Sequence, residues 1–278
     1  MKRYRISPVR IGLIVLIAAI NIFPFLWMLS NSFNTEKGIF STSVQLIPDL
    51  LFTSRMFENY ISVITEFNFG RYTMNSVFVA SMSSLGQLVV CSMAGFTFAK
   101  MKFRGKNLIF ALVIFTLMVP NEVAIIPEYY LMMRLGWLDT YLPLIVPSFL
   151  IGAMGTFLLK EFFEQVPDEL FDAGIIDGAN SWVMYRSIYL PQGVATMATL
   201  FIIAFMNNWN DLLRPILYLS KDSLMTVTQA LTQFQGQYEA KWNLLLAGSV
   251  LSILPLIAMF IFTQRYIIDN SMNAGIKG

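Results

Sequence analysis

The residues with the most chemistry in them lie close together. Asp168, Glu169, Asp172 and Asp177 place carboxylates in a stretch that also holds Pro167, Leu170, Ala173, Gly174 and Gly178 and ends at Ile188, Leu190 and Pro191. Pro167 suits the first position of a helix, where its missing N–H costs nothing. Asp168 and Glu169 then fall where the positive end of the helix dipole favours anions. Gly178 suits the left-handed position just past a helix end. The spacing therefore predicts a helix over Pro167–Ile176, ~15 Å long at about 1.5 Å per residue. Asn180 or Ser181 caps a second helix, which stops before Pro191. The product is a helix–turn–helix elbow. Leu170, Ala173 and Gly174 fall at i, i+3 and i+4, a stripe whose small residues allow close approach. Asp168 with Asp172, and Glu169 with Asp172, are like charges at helical spacing and oppose the helix by about a few tenths of a kcal/mol each. A basic partner surface would relieve them. In the other reading, the carboxylates only suit the dipole and the stripe packs on the chain's own helices.

This chemistry is one of contact, not of catalysis. Histidine is absent, which removes the commonest general base and metal ligand. The single cysteine, Cys91, excludes an intrachain disulfide, a CxxC pair and a thiolate metal cage. It lies in an apolar run and reads as a small packed or lipid-facing hydrophobe. No GxxxxGK[ST] loop is present, so nucleotide hydrolysis by this chain alone is not expected. No metal site is expected.

Lipid must position the elbow. Of 278 residues, 56% are hydrophobic and 13% charged, where an average domain carries about 25% charge. The mean hydropathy is +0.62. Six stretches without Asp, Glu, Lys or Arg read as long enough to cross a bilayer, which takes ~20 residues. They run about 11–32, 72–98, 107–121, 141–159, 192–210 and 242–264. The third is the shortest and continues past Pro120 towards the interface; Pro24, Pro147 and Pro255 lie in or near other spans. The fold class read from this pattern is an all-α integral membrane protein with six transmembrane helices. Basic residues cluster before the first span (Lys2, Arg3, Arg5, Arg10) and after the second (Lys100, Lys102, Arg104, Lys106). Such short basic flanks mark the inside, so both termini are placed in the cytoplasm, together with the elbow between spans four and five. The first span is longer than a signal-peptide core and no cleavage site follows it, so it reads as an uncleaved helix. A net charge of +2 gives no reason to expect nucleic acid as a partner.

The expected spans hold no buried proton relay, so no energy source for transport is visible in them. A passive pore or stand-alone carrier would fit that, and so would a subunit driven by a partner. A membrane-embedded enzyme fits poorly, for want of His, a Cys pair or an inward carboxylate pair.

The segment 164–191 resembles the cytoplasmic coupling loop of the membrane subunits of binding-protein-dependent ABC importers. That family's pattern is E-A-A, three residues, G, nine residues, I, one residue, L-P. Asp172-Ala173-Gly174, Gly178, Ile188, Leu190 and Pro191 stand at that spacing, with Asp for Glu and Gly for Ala as departures. The glycine weakens the helix by about 1 kcal/mol relative to alanine. The resemblance extends from about Asn75 to the C-terminus. Through 99–105, Met118-Val119-Pro120, Phe162-Phe163, Trp209-Asn210-Asp211 and 274–278 it is similar to the smaller permease of maltose-type importers.

What the resemblance implies is a type I ABC importer permease fold. Its transmembrane domain is 72–265 with the coupling loop 164–191, preceded by 1–71 and followed by a cytoplasmic tail, 266–278. It implies a second homologous permease, two ABC ATPase subunits that bind the ATP and Mg, and an extracytoplasmic solute-binding protein, in the inner membrane of a prokaryote. Pro167, Asp168, Glu169, Leu170, Asp172, Ala173, Gly174, Asp177, Gly178, Ile188, Leu190 and Pro191 are the expected ATPase-coupling residues, with Asp172 pairing a basic residue of the ATPase. The outer loop Gln233, Phe234, Gln235, Gly236, Gln237 and Tyr238 resembles the segment that reaches the binding protein. Asn207, Asn208, Trp209 and Asn210 could line a sugar path, although Trp209 reads better as an interfacial anchor. The implied solute is a carbohydrate; a glycerol-phosphate-like polyol stays open.

Overall fold

The computed structural model describes residues 7–41, 48–236 and 240–275, at the level of backbone alone for Asn121 and for 266–275. Its regular elements are helices; among the described residues the one departure is an isolated antiparallel bridge between Gln235 and Ala240. The principal helices are α1 (Pro8–Asn31), α2 (Phe69–Lys100), α3 (Lys106–Phe115), α4 (Asn121–Arg134), α5 (Ala153–Glu164), α6 (Asp168–Ile176), α7 (Val194–Trp209) and α8 (Trp242–Gly275).

Four helical segments are individually long and apolar enough to cross a membrane: Pro8–Asn31, Phe69–Lys100, Leu142–Glu164 and Trp242–Arg265. The other two expected spans belong to bent pairs, Lys106–Met118 with Glu122–Arg134 at 103° and Ser181–Gln192 with Val194–Trp209 at 79°. The first bend has a local cause. Pro120 lacks an N–H to continue the helix and holds Val119 in extended backbone (φ −91°, ψ 115°). The chain therefore turns where a straight continuation was expected. Pro24 and Pro255, by contrast, sit inside unbroken helices.

The chain divides into two compact units. One comprises Met1–Gly70 and Ala230–Leu254. Its polar centre is Asn59, whose Nδ2 donates to the carbonyls of Ser32 (2.8 Å) and Asn34 (2.9 Å) and whose Oδ1 accepts from Asn243 (2.8 Å). Each amide group is buried with partners, as a low-dielectric site requires.

The other unit comprises Arg71–Gln229 and Pro255–Gly278. Its core lies where α2, α5 and the segment 184–200 meet, around Cys91, Phe96, Leu159, Phe163, Met184, Tyr189 and Leu200. Small residues bring the helices into contact. A Cβ on Gly95 would stand 2.9 Å from Leu159 Cβ, and one on Gly155 would stand 2.8 Å from Cys91 Sγ. With lipid as solvent, such close packing stands in for a hydrophobic drive between helices. Tyr189 is enclosed by Phe96 (5.0 Å between ring centroids) and Phe163 (5.9 Å). Cys91 is fully buried and its thiol donates to the Gly152 carbonyl at 3.3 Å, a packing role.

Candidate functional site

The elbow is built as its residues dictate, with two differences in register. Pro167 is the cap (φ −55°, ψ 137°) and α6 begins one residue later, at Asp168. Extended backbone is available to proline, so the cap costs nothing. At the other end the helix closes with a pair of hydrogen bonds: Gly178 N–H to Ile175 O (3.0 Å) and Ala179 N–H to Gly174 O (2.9 Å). This is the Schellman arrangement, and it sets Gly178 at φ +77°. Asn180 caps the next turn, its Oδ1 accepting from Val183 N–H at 2.9 Å.

That second arm does not stop before Pro191. Residues Ser181–Met184 are α-helical, Tyr185–Tyr189 form a π turn, and helix resumes over Leu190–Gln192. The wider π turn relieves the clash between the Pro191 ring and the preceding turn, so the proline is absorbed instead of ending the arm.

The Leu170–Ala173–Gly174 stripe is split by the tertiary structure. Gly174 is buried, and a Cβ there would overlap Met184 Sδ and stand 3.4 Å from Ile188 Cδ1. Its smallness serves contact between the two arms of the elbow. Phe171 is half-buried against Tyr189, 6.4 Å between centroids. Leu170, Ala173, Ile175 and Ile176 face outward, Ile176 at 84% exposure, next to exposed Trp182 and Val183. Glu169, Asp172 and Asp177 are exposed among them. Of the remaining coupling residues, Ile188 and Leu190 are partly buried and Pro191 is exposed.

Asp168 is taken by its own chain. Lys100 Nζ lies 2.5 Å from Asp168 Oδ1 and donates to the Val166 carbonyl at 2.7 Å. The Lys100 side chain is 5% exposed, Asp168 82%. Hydrogen bonding to Lys100 holds the Asp168 carboxyl below the usual carboxylate range. A partner for Lys100, whose sequence signal was only topological, could not be read across 68 positions. Asp172 has no ion pair among the described residues; with Lys102, Lys106 and Phe171 it lines a groove of about 560 Å³ between α6 and the turn after α2.

A second feature is a polar cavity of about 670 Å³. Asn207, Asn208 and Asn210 line it with Gln87 of α2 and Ser148. The Nδ2 groups of Asn208 and Asn210 bond back to the carbonyls of Ala204 (2.8 Å) and Met206 (2.9 Å), which leaves the amide oxygens for acceptor roles. Trp209 does not join them. It is 2% exposed and stacked on Phe205 (5.7 Å, 18°), so neither cavity nor membrane interface receives it. The sequence placed the four together, but helical periodicity turns the indole into the core. Charges missed in the sequence reading also reach this cavity: Glu122, Asp211 and Arg214. Arg214 is held by Glu128 (3.6 Å) and Asp211 (3.7 Å).

In the outer loop, Gln233, Gln235 and Gly236 are exposed, while Phe234 is 1% exposed and packs on Phe67 at 4.8 Å. Phe234 therefore anchors the loop instead of presenting it. Gln237 and Tyr238 lie outside the described residues.

The chain combines helices apolar and long enough to cross a membrane, a polar cavity and a capped elbow. A solved chain with this fold comes from a bacterial ABC transporter involved in the import of the acidic polysaccharide alginate; the TM-score is 0.80 over 93% of this chain and 95% of that one, at 20% identity. The family of binding-protein-dependent transport system inner membrane components matches residues 91–269. The arabinooligosaccharides transport system permease protein AraQ of Halalkalibacterium halodurans is 31% identical over the whole of both chains. The lactose transport system permease protein LacG of Rhizobium radiobacter is 28% identical, covering 96% of this chain and 95% of that one. The sn-glycerol-3-phosphate transport system permease protein UgpE of Brucella abortus is 30% identical, covering 93% and 94%. The chain thus belongs to the family of binding-protein-dependent transport system inner membrane components, the permease subunits of ABC importers and not their ATPases.

Proposed function

We propose that this permease forms, with a second homologous permease, the path for a neutral carbohydrate, an oligosaccharide or related sugar. Two ABC ATPase subunits bind ATP and Mg in the cytoplasm and receive the elbow, and an extracytoplasmic binding protein delivers the solute. Both termini lie on the ATPase side. The observation that carries this reading is the outward face of α6: Leu170, Ala173, Ile175 and Ile176 exposed beside Asp172 and Asp177, on a helix with capped ends. An apolar centre rimmed by charge is the anatomy of a protein contact. Closure of the ATPase pair on ATP moves such a helix, and the spans follow only if ATP favours one of their states by several kcal/mol.

The cavity favours a neutral solute over a phosphorylated polyol. Its one cation among the described residues, Arg214, already faces Glu128 and Asp211, and Glu122 adds another negative charge. An anionic solute would meet net repulsion, whereas amides and carboxylates accept hydrogen bonds from sugar hydroxyls. Mild-detergent purification of the tagged chain from its host should co-elute an ATP-hydrolysing subunit. Proteoliposomes of that complex, with its binding protein, should take up a radiolabelled arabinooligosaccharide or lactose only with ATP. Elution without an ATPase, or ATP-independent uptake by this chain alone, would refute the reading.

A further inference from the structure

Lys100 is the last residue of α2, and its side chain turns inward instead of outward. A lysine at a helix end near a membrane usually extends its ammonium to water. Here the ammonium is nearly enclosed, against Asp168 on the first turn of α6, the Val166 carbonyl at the α5–α6 joint, and the Tyr189 ring at 5.8 Å. One charged group thus touches the end of a long helix, the start of the elbow helix and the π turn of the second arm. Burying an ammonium is costly unless it is paired and hydrogen-bonded, and both conditions are met here.

The helix it terminates is the one that carries Val79 and Gln87 to the wall of the polar cavity. Gln87 lies thirteen positions before Lys100, ~20 Å along a rigid helix at about 1.5 Å per residue. A displacement of α6 pulls on Lys100 through a charge-assisted bond, and α2 delivers it to the cavity. Gly174 against Met184 and Ile188 binds the far end of α6 to the second arm, which meets α2 through the Tyr185 and Ser92 hydroxyls (2.6 Å apart) and through Tyr189 against Phe96; Lys100 is the joint that ties α6 itself to α2.

We propose that Lys100 is a positioning residue that links movement of the elbow to the cavity wall, with Asp168 as its counterpart. The claim rests on the proposed function, since ATPase subunits must do the moving. The test uses the intact complex with Cys91→Ala and Gln87→Cys, and reads the rate at which a water-soluble maleimide labels position 87 with and without ATP–Mg. In this background ATP–Mg should change the rate by about tenfold, within the 5–150-fold span usual for coupled sites. Asp168→Asn and Lys100→Met should each bring that change below about twofold. In Lys100→Met, labelling without ATP, ATP hydrolysis and ATPase co-elution should stay as in the parent, and Lys100→Arg should restore most of the response.

An undiminished ATP response in Asp168→Asn and Lys100→Met would overturn the assignment. So would loss of the ATPase subunits from Lys100→Met, because the pair would then be a docking contact. A parent chain that elutes with no ATPase would instead refute the proposed function.

Discussion

Gly178 isolates one physical effect. Its φ is +77°, and a Cβ there would meet nothing within 4 Å. A substitution therefore adds no steric contact and changes only the cost of left-handed backbone. That cost is about 1–2 kcal/mol for an ordinary L-residue, smaller for asparagine and larger for a β-branched side chain. The expected order of elbow stability is Gly, then Asn, then Ala, then Val. A loss of 1–2 kcal/mol corresponds to a factor of about 5–30 in the population of the closed turn. Hydrogen exchange at the Ala179 amide, whose bond to Gly174 O is 2.9 Å long, reads that population. Gly178→Ala should exchange about 5–30 times faster than the parent, Gly178→Asn less, and Gly178→Val faster still. In the assembled transporter Gly178→Val should uncouple uptake or release the ATPase while leaving the permease inserted. Equal exchange in the Ala and Asn variants, or parental exchange in the Val variant, would refute the reasoning, since conformational cost alone sets the order.

Gly174→Leu should destabilise the elbow by about 1–3 kcal/mol through overlap with Met184, and Met184→Ala should recover part of it; thermal unfolding of both variants in detergent checks this. The Asp168 carboxyl titrates below its unfolded value of about 3.9. Its stabilising contribution is therefore present above that value and lost as pH falls through the lower folded one. Asp168→Asn should lower stability at pH 7 and flatten its fall towards pH 3, and parallel pH profiles by fluorescence should converge at the acid end. Asn210→Ala should raise the solute KM by about 5–30-fold with ATPase binding unchanged, as expected for loss of one or two hydrogen bonds. With Cys91→Ala as background and the chain expressed without its ATPase subunits, Ile176→Cys should label from the cytoplasmic side in inside-out vesicles and not in intact cells.

The sequence by itself determined whatever depends on neighbours along the chain. Charge scarcity placed the chain in lipid, Gly178 marked a left-handed turn, and Asn180 with Ser181 marked the place of a cap. These follow from local backbone energetics and from the dielectric cost of burying charge. Only the tertiary structure decided which way each side of a helix faces. It turned Gly174 onto Met184, buried Trp209 and set Phe234 on Phe67, although each had a surface role to offer. It also passed the second arm through Pro191 by means of a π turn. Lys100 finding Asp168 across 68 positions belongs to the same class. Pairing at that separation depends on how α2 and α5 cross at Gly95 and Gly155, and no local pattern encodes that crossing.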